Sequence, residues 1–202
     1  MDLYFAPLSC SLATRIALYE AGVPAGFHQV TLSTKQLADG SDYLAINPKG
    51  QVPALLTPGG VLTEGPAVLQ YVADLAPESG LAPAAGSWGR AQLQQWLNYI
   101  SSEVHKAVFY MSFNPASPPE VRAFARDVLL PARYRHVSNH LEGREFLLEG
   151  FSVADAYLFT TLNWAGAINV ALADWPVLAA YHARIAVRPA VARAFAEELA
   201  LR

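Results

Sequence analysis

The sequence predicts an α/β domain followed by an all-α domain. Three observations predict it. Within residues 1–77 the apolar pattern alternates between short strand-like runs and helical spacing. A stretch mixing Pro, Gly, Ser and Ala then interrupts the chain at residues 78–87. Beyond it, over residues 88–202, every apolar pattern has the helical period. With 202 residues, 53% hydrophobic and 15% charged, the chain can bury a core of one or two domains and has none of the composition of a disordered segment.

The elements follow in order. Residues 3–6 form a short apolar run closed by Pro7, read as a strand. Leu12, Ile16 and Tyr19 recur at i, i+4 and i+7, a helical stripe; Gly22 stands where a C′ residue belongs and Pro24 ends the helix. Residues 27–32 hold β-formers with partial alternation, a second strand. Strand, helix and strand in so short a span predict a parallel right-handed crossover. Residues 52–57 and 61–63, joined by Pro58-Gly59-Gly60, predict a hairpin. Pro66 opens a helix to about residue 75, as proline is tolerated in the first turn. The order βαβ…ββα matches a thioredoxin-like arrangement.

In the second part, residues 88–107 place Leu93, Trp96, Leu97, Ile100 and Val104 on one helical face. Asn114-Pro115 and Pro118-Pro119 break it. Residues 121–141 form the next helix, in which Pro131 predicts a kink or a split near Leu130. Ser152 with Asp155 three residues on reads as a capping-box variant opening a helix to about residue 165. Trp175-Pro176 begins a last helical section, broken again at Pro189.

Composition excludes several function classes. A formal net charge of −3 is not that of a general nucleic-acid binder. No apolar run approaches the ~18 residues that span a bilayer, and Asp2 without a basic N-terminal region does not read as a signal peptide. A single cysteine forbids an intrachain disulfide and suits a reducing cytoplasm. No metal-binding motif, phosphate loop or dinucleotide fingerprint occurs.

The most informative segment is Asn47-Pro48-Lys49-Gly50-Gln51-Val52-Pro53-Ala54-Leu55, followed by Leu62-Thr63-Glu64-Gly65. A turn leads into Val-Pro at the head of an apolar strand. Proline there removes a backbone donor, and an X-Pro bond can be cis. Both Val52 main-chain groups are expected to lie outside the ladder, free to meet an extended peptide. Glu64 and Gly65 then start a helix, whose N–H groups attract a carboxylate. Upstream, Cys10, flanked by Ser9 and Ser11, lies where the first strand's loop meets the first helix. Unpaired N–H groups at a helix start favour a thiolate. A lone cysteine is more often a small buried hydrophobe, so position has to carry the case.

These pieces together resemble the glutathione transferases. Met1-Asp2-Leu3-Tyr4 running into Pro7-Leu8-Ser9-Cys10-Ser11-Leu12 is similar to their bacterial beta class. The resemblance continues through Trp96-Leu97-Asn98-Tyr99-Ile100, Glu103-Val104-His105-Lys106 and Phe151-Ser152-Val153-Ala154-Asp155-Ala156-Tyr157-Leu158-Phe159, and so covers essentially the whole chain. It implies the GST fold, glutathione as co-substrate, a homodimer and a hydrophobic electrophile as second substrate.

The resemblance also implies residue roles. Cys10 would contact the glutathione sulfur and can form a mixed disulfide with it, with Ser9 and Ser11 sharing the thiolate. Val52 would pair through its main chain with the cysteinyl part, Pro53 supporting the bend. Glu64 and Gly65 would meet the γ-glutamyl end, and Lys35 the glycyl carboxylate, with Gln51 beside it. His105 would face the thiol as thiolate partner or general base, its pKa being near neutral; Lys106 accompanies it. Asn98 and Glu103 would reach the ligand across a dimer interface. Phe113 and Trp164 are the candidates to line an apolar second-substrate site. Other classes use a tyrosine on the first strand; Phe5 stands there instead, and Tyr4, facing the opposite side, reads as structural.

The expected activity is conjugation of the glutathione thiolate to electrophilic, mostly hydrophobic small molecules in detoxification. Two alternatives stay open: a monothiol thiol–disulfide oxidoreductase or peroxidase using Cys10, and a non-catalytic ligand- or protein-binding member of the same fold.

Overall fold

A computed structural model describes residues 1–202. The chain divides into two compact units, 1–82 together with 188–202, and 83–187. The sequence placed everything after residue 87 in one helical domain; in the structure the last helix joins the first unit.

The first unit is built on a five-stranded mixed sheet in the order β3-β2-β1-β4-β5. Its strands are β1 (Asp2–Phe5), β2 (Gly26–Thr31), β3 (Gln36–Leu37), β4 (Ala54–Thr57) and β5 (Gly60–Thr63). β1 pairs in parallel with β2, Leu3 opposite Phe27, and antiparallel with β4, Tyr4 opposite Ala54. The parallel pair is the one predicted. Helix α1 (Leu12–Glu20) links β1 to β2, and α2 (Gly65–Leu75) follows β5. Gly22, at φ +65, closes α1: Val23 N–H donates to Leu18 C=O and Gly22 N–H to Tyr19 C=O, a Schellman ending. Three pieces were absent from the sequence reading, β3 and the 3₁₀ turns Tyr43–Ala45 and Pro77–Ser79.

The C-terminal helix (Pro189–Leu199) packs on α1 through buried Val191 and Ala194 and through charge. Arg188 pairs bidentately with Glu20 at 2.7 and 2.9 Å. Arg15, 7% exposed, lies 4.2 Å from the Phe27 ring centroid and donates to Glu197 at 2.7 Å.

The second unit is helical. Its long first helix runs over 88–113, beyond the residue 107 expected, and its middle, Ile100–Tyr110, is wound as a π-helix. The next runs over 119–141, with a π-helical stretch, Ala125–Leu129, just before Pro131. That is where the proline was expected to disturb the winding: its ring cannot sit against an ordinary preceding turn. Val153–Leu162 is buried at every position, and Pro176–Ala186 completes the unit. No helix is long and apolar enough to cross a membrane.

Candidate functional site

In the first unit, the loop between β1 and α1 carries Cys10. Leu8 takes a left-handed φ of +56. The loop then tightens by successive i→i+3 bonds, from Ser9 N–H to Ala6 C=O and from Leu12 N–H to Ser9 C=O. Ser11 is fully buried. Its Oγ receives Ala6 N–H at 3.2 Å, lies 3.3 Å from Ala6 C=O and shares a 2.8 Å bond with Ser9 Oγ. Ser11 therefore ties the loop to the end of β1 and offers a ligand no surface, a structural role in place of the shared thiolate contact expected of it. Ser9 and Cys10 are half-buried.

Val52 precedes the first ladder residue of β4, Ala54, and the Val52-Pro53 bond is cis. Its side chain is buried, 7% exposed. The expectation that both its main-chain groups stand free is corrected at the carbonyl: Cys10 Sγ donates to Val52 O at 3.1 Å. The strand edge and the thiol, 42 residues apart in sequence, thus meet at one oxygen.

The approach to Val52 is held from below. Gln51 is exposed, but its carbonyl receives Tyr43 OH and Asn47 Nδ2, each at 2.7 Å. Asn47 is 2% exposed, so the residue read as a turn former is also a buried brace. Lys35, left-handed at φ +59, donates to Gly50 C=O at 2.8 Å. Glu64 is exposed, has φ +71 and ψ 112, and its carbonyl accepts the first N–H groups of α2, from Ala67 and Val68. A non-glycine residue in such a conformation is costly and clusters at ligand sites. Lys49, which the sequence reading did not single out, forms an ion pair with Glu64 and donates to Thr63 Oγ1 at 2.7 Å. Gly65 opens α2 with Pro66 behind it.

Tyr4, 8% exposed, stacks on His28 at 5.1 Å and packs against Tyr43, the structural role read for it. Phe5 packs edge-on against Phe27.

In the second unit, His105 lies in the π-helical stretch. Its Nδ1 is bonded to Tyr157 OH at 2.8 Å, and its ring meets Trp164 edge-on at 5.0 Å. Trp164 also contacts Phe109 at 5.4 Å and Phe113 at 6.1 Å, and Phe109 stacks on Phe113. His105, Phe113 and Trp164 are therefore brought together in one aromatic cluster, with Phe113 45% exposed and Phe109 fully buried. Burial, and after it the Lys106 charge, lowers His105 from the usual 6.5 to about 4. The sequence expected a near-neutral pKa; the imidazole is instead uncharged at neutral pH and a weak base.

The outer residues have their own partners. Lys106, exposed, sits over the Tyr110 ring at 4.7 Å. Glu103 pairs with Arg133 at 2.7 Å. Asn98 is exposed, and its carbonyl accepts Ser102 Oγ. Asp155, fully buried, accepts from Leu147 N–H, Ser152 N–H, Ser152 Oγ and Tyr181 OH at 2.8–2.9 Å, the aspartate half of the predicted capping box.

Comparison with known proteins agrees with this architecture. Residues 1–74 match the model of the glutathione S-transferase N-terminal domain and residues 100–189 that of the C-terminal domain. Glutathione S-transferase GstA of Escherichia coli O157:H7 is 41% identical over 98% of each chain. Among solved structures, a sphingomonad glutathione S-transferase complexed with glutathione is 42% identical, with a TM-score of 0.93 over 98% of both chains. A bacterial beta class glutathione S-transferase from Sphingomonas chungbukensis is 39% identical, with a TM-score of 0.94 over the same share. The chain belongs to the glutathione S-transferase family.

Proposed function

We propose that the protein conjugates the thiolate of glutathione to electrophilic, mostly hydrophobic small molecules. One observation carries the reading: Cys10 Sγ and the Val52 carbonyl meet at 3.1 Å, so a tripeptide paired with the Val52 main chain brings its own sulfur to Cys10. In the reaction the glutathione sulfur forms a bond to the electrophilic carbon, the leaving group departs with its electron pair, and the thiol proton passes to water.

The roles divide between the units. Val52 pairs with the cysteinyl amide and Pro53 sets the chain direction before β4. Gly65 N–H and the start of α2 receive the γ-glutamyl carboxylate, and Glu64 takes its ammonium group. Lys35 and the exposed Gln51 serve the glycyl carboxylate. Cys10 holds the sulfur, with Ser9 beside it. His105, uncharged, acts as a hydrogen-bond donor to sulfur rather than as the base. The aromatic cluster of Phe113 and Trp164 binds the apolar part of the electrophile. Lys106, Asn98 and Glu103 supply charge and polarity to the bound peptide in a homodimer. The physical contributions are orientation and stabilisation of the thiolate. A cytoplasmic detoxification role fits a chain with a single cysteine.

A second reading is favoured by that half-exposed cysteine: exchange with glutathione disulfide, in which Cys10 Sγ bonds one glutathione sulfur and the other leaves as thiolate. Calorimetry with glutathione, a spectrophotometric assay with an electrophilic chloronitrobenzene, and mass spectrometry after incubation with glutathione disulfide test the two. Heat with conjugate formation supports the first reading, and heat with only a mixed disulfide supports the second. Absence of both binding and conjugate overturns the proposal.

A further inference from the structure

We propose that Glu198, near the end of the C-terminal helix, is a positioning residue for Cys10: it holds the Leu8 peptide in its left-handed conformation and so fixes where the thiol sits. This rests on the reading that Cys10 meets the glutathione sulfur.

Three observations lead there. Glu198 is a fully buried carboxylate, and a buried charge is retained only where it has partners. Its Oε2 accepts Leu8 N–H at 2.7 Å across 190 residues of sequence. Leu8 is one of four non-glycine residues with positive φ, a conformation that is unfavourable for a side chain of its kind unless the surroundings enforce it. Two residues later the same loop delivers Cys10 Sγ to Val52 O. The carboxylate is thus an anchor outside the loop for the strained residue, while Ser11 closes the loop from within.

The second carboxylate oxygen supports a role beyond packing. Glu198 Oε1 has no hydrogen-bond partner, and neither has Arg15 Nη1, 3.8 Å from it. Arg15 instead gives its close bond to Glu197. Glu198 therefore keeps an incompletely neutralised charge beside the loop. Burial raises it from the usual 4.5 to about 7, against the lowering effect of the Leu8 bond and Arg15, with Glu197 adding to the rise. The other charged or titratable groups here are Tyr19 on α1 and Arg193 on the C-terminal helix, both bonded to Glu197. Below neutral pH the Leu8 N–H would face a neutral carboxyl, a weaker acceptor than the anion.

The experiment compares the rate at which Cys10 reacts with glutathione disulfide against its rate with a small neutral aromatic disulfide, from acidic to alkaline pH. In each case Cys10 Sγ bonds one sulfur of the disulfide, the other sulfur leaves as thiolate, and the thiol proton goes to water. In the native protein the ratio falls as pH drops through neutrality. In Glu198→Gln, which keeps an uncharged acceptor, it stays at the acidic level throughout. In Glu198→Ala it drops about tenfold at alkaline pH, the loss expected for one charge-assisted hydrogen bond. Adding Leu8→Gly to Glu198→Ala recovers most of it, because glycine adopts positive φ without help; loss of packing alone would not be recovered. A folded Glu198→Ala or Glu198→Gln with the native ratio and native pH profile overturns the inference. If the native protein shows no preference for glutathione disulfide, the glutathione reading fails. The pH profile of Cys10 alkylation by iodoacetamide then still decides this inference: an inflection near neutrality that Glu198→Gln removes supports it, and identical profiles sink it.

Discussion

Replacing His105 with glutamine should remove one contribution to stability that the native protein loses as pH falls below neutrality. The ring is lowered from 6.5 to about 4 by burial first and by Lys106 second. A group with a depressed folded pKa favours the fold fully above its unfolded pKa and loses that contribution as pH falls toward the folded one. For His105 the window is from about pH 6.5 down to about 4, at about 1.36 kcal/mol per pH unit. Going from pH 7.5 to pH 5 crosses about 1.5 units of it, so the native protein should lose about 2 kcal/mol that His105→Gln does not lose. Glu198 has the opposite sign. Its folded pKa is raised to about 7, so its contribution is present below about 4.5 and is lost as pH rises toward 7. In one cooperative transition the two slopes oppose each other between about pH 4.5 and 6.5. Urea denaturation of the native protein, His105→Gln and Glu198→Gln at several pH values reads both. The reasoning fails if native and His105→Gln profiles run parallel from pH 7.5 to 5, or if the His105 ring titrates near 6.5 by NMR.

Three further outcomes are expected. Cys10→Ala should abolish the glutathione mass adduct formed with glutathione disulfide, since the chain has no other cysteine; a surviving adduct in the mass spectrum contradicts it. Asp155→Ala should destabilise by about 3 kcal/mol or more in urea titration, because it removes a cap and leaves buried donors on Leu147, Ser152 and Tyr181 unmet. Gly50→Ala should cost about 1–2 kcal/mol for a side chain at φ +60 and weaken glutathione binding by calorimetry, since the new methyl would meet Lys35 and Leu44 side-chain atoms at 3.1 Å.

Most of the architecture was legible because apolar period and proline placement report it directly. The parallel β1/β2 pair, the β4/β5 hairpin and the disturbed winding before Pro131 follow from such signals. What was missed has a physical reason in each case. β3 spans two residues, too few for a period. The first helix of the second unit runs on to Phe113 because Phe109 and Phe113, four apart, stack on one face against Trp164. The last helix carries an apolar stripe that says it packs, but not on what. Its partner is chosen by Glu197, Glu198 and Arg188 meeting Arg15, Leu8 and Glu20, contacts made across the length of the chain. At the site, Cys10 and Val52 were legible as a pair because Pro53 and a helix start mark both. The left-handed Glu64, the brace from Asn47 and the lowered pKa of His105 depend on burial and neighbours that spacing does not encode.

Those neighbours bear on how glutathione binds. Three of the polar groups proposed to meet the peptide already have a partner within the first unit: Val52 O has the Cys10 thiol, Lys35 has Gly50 C=O, and Glu64 has Lys49. Binding then exchanges hydrogen bonds of similar kind, and an exchange contributes far less than the gross strength of the bond formed. The gain has to come where the ligand offers more than the internal partner. A glycyl carboxylate offers Lys35 an anion where Gly50 offers a neutral carbonyl, and charge-assisted bonds are roughly twice as strong. An ammonium group offers Glu64 only what Lys49 already gives, at an exposed position where such pairs contribute about 0–1 kcal/mol. At Val52 O a peptide N–H that displaces the Cys10 thiol exchanges a weak donor for a stronger one and releases the sulfur to the incoming thiol. Affinity should therefore depend more on the glycyl end than on the γ-glutamyl ammonium, while reactivity should depend on the cysteinyl amide at Val52.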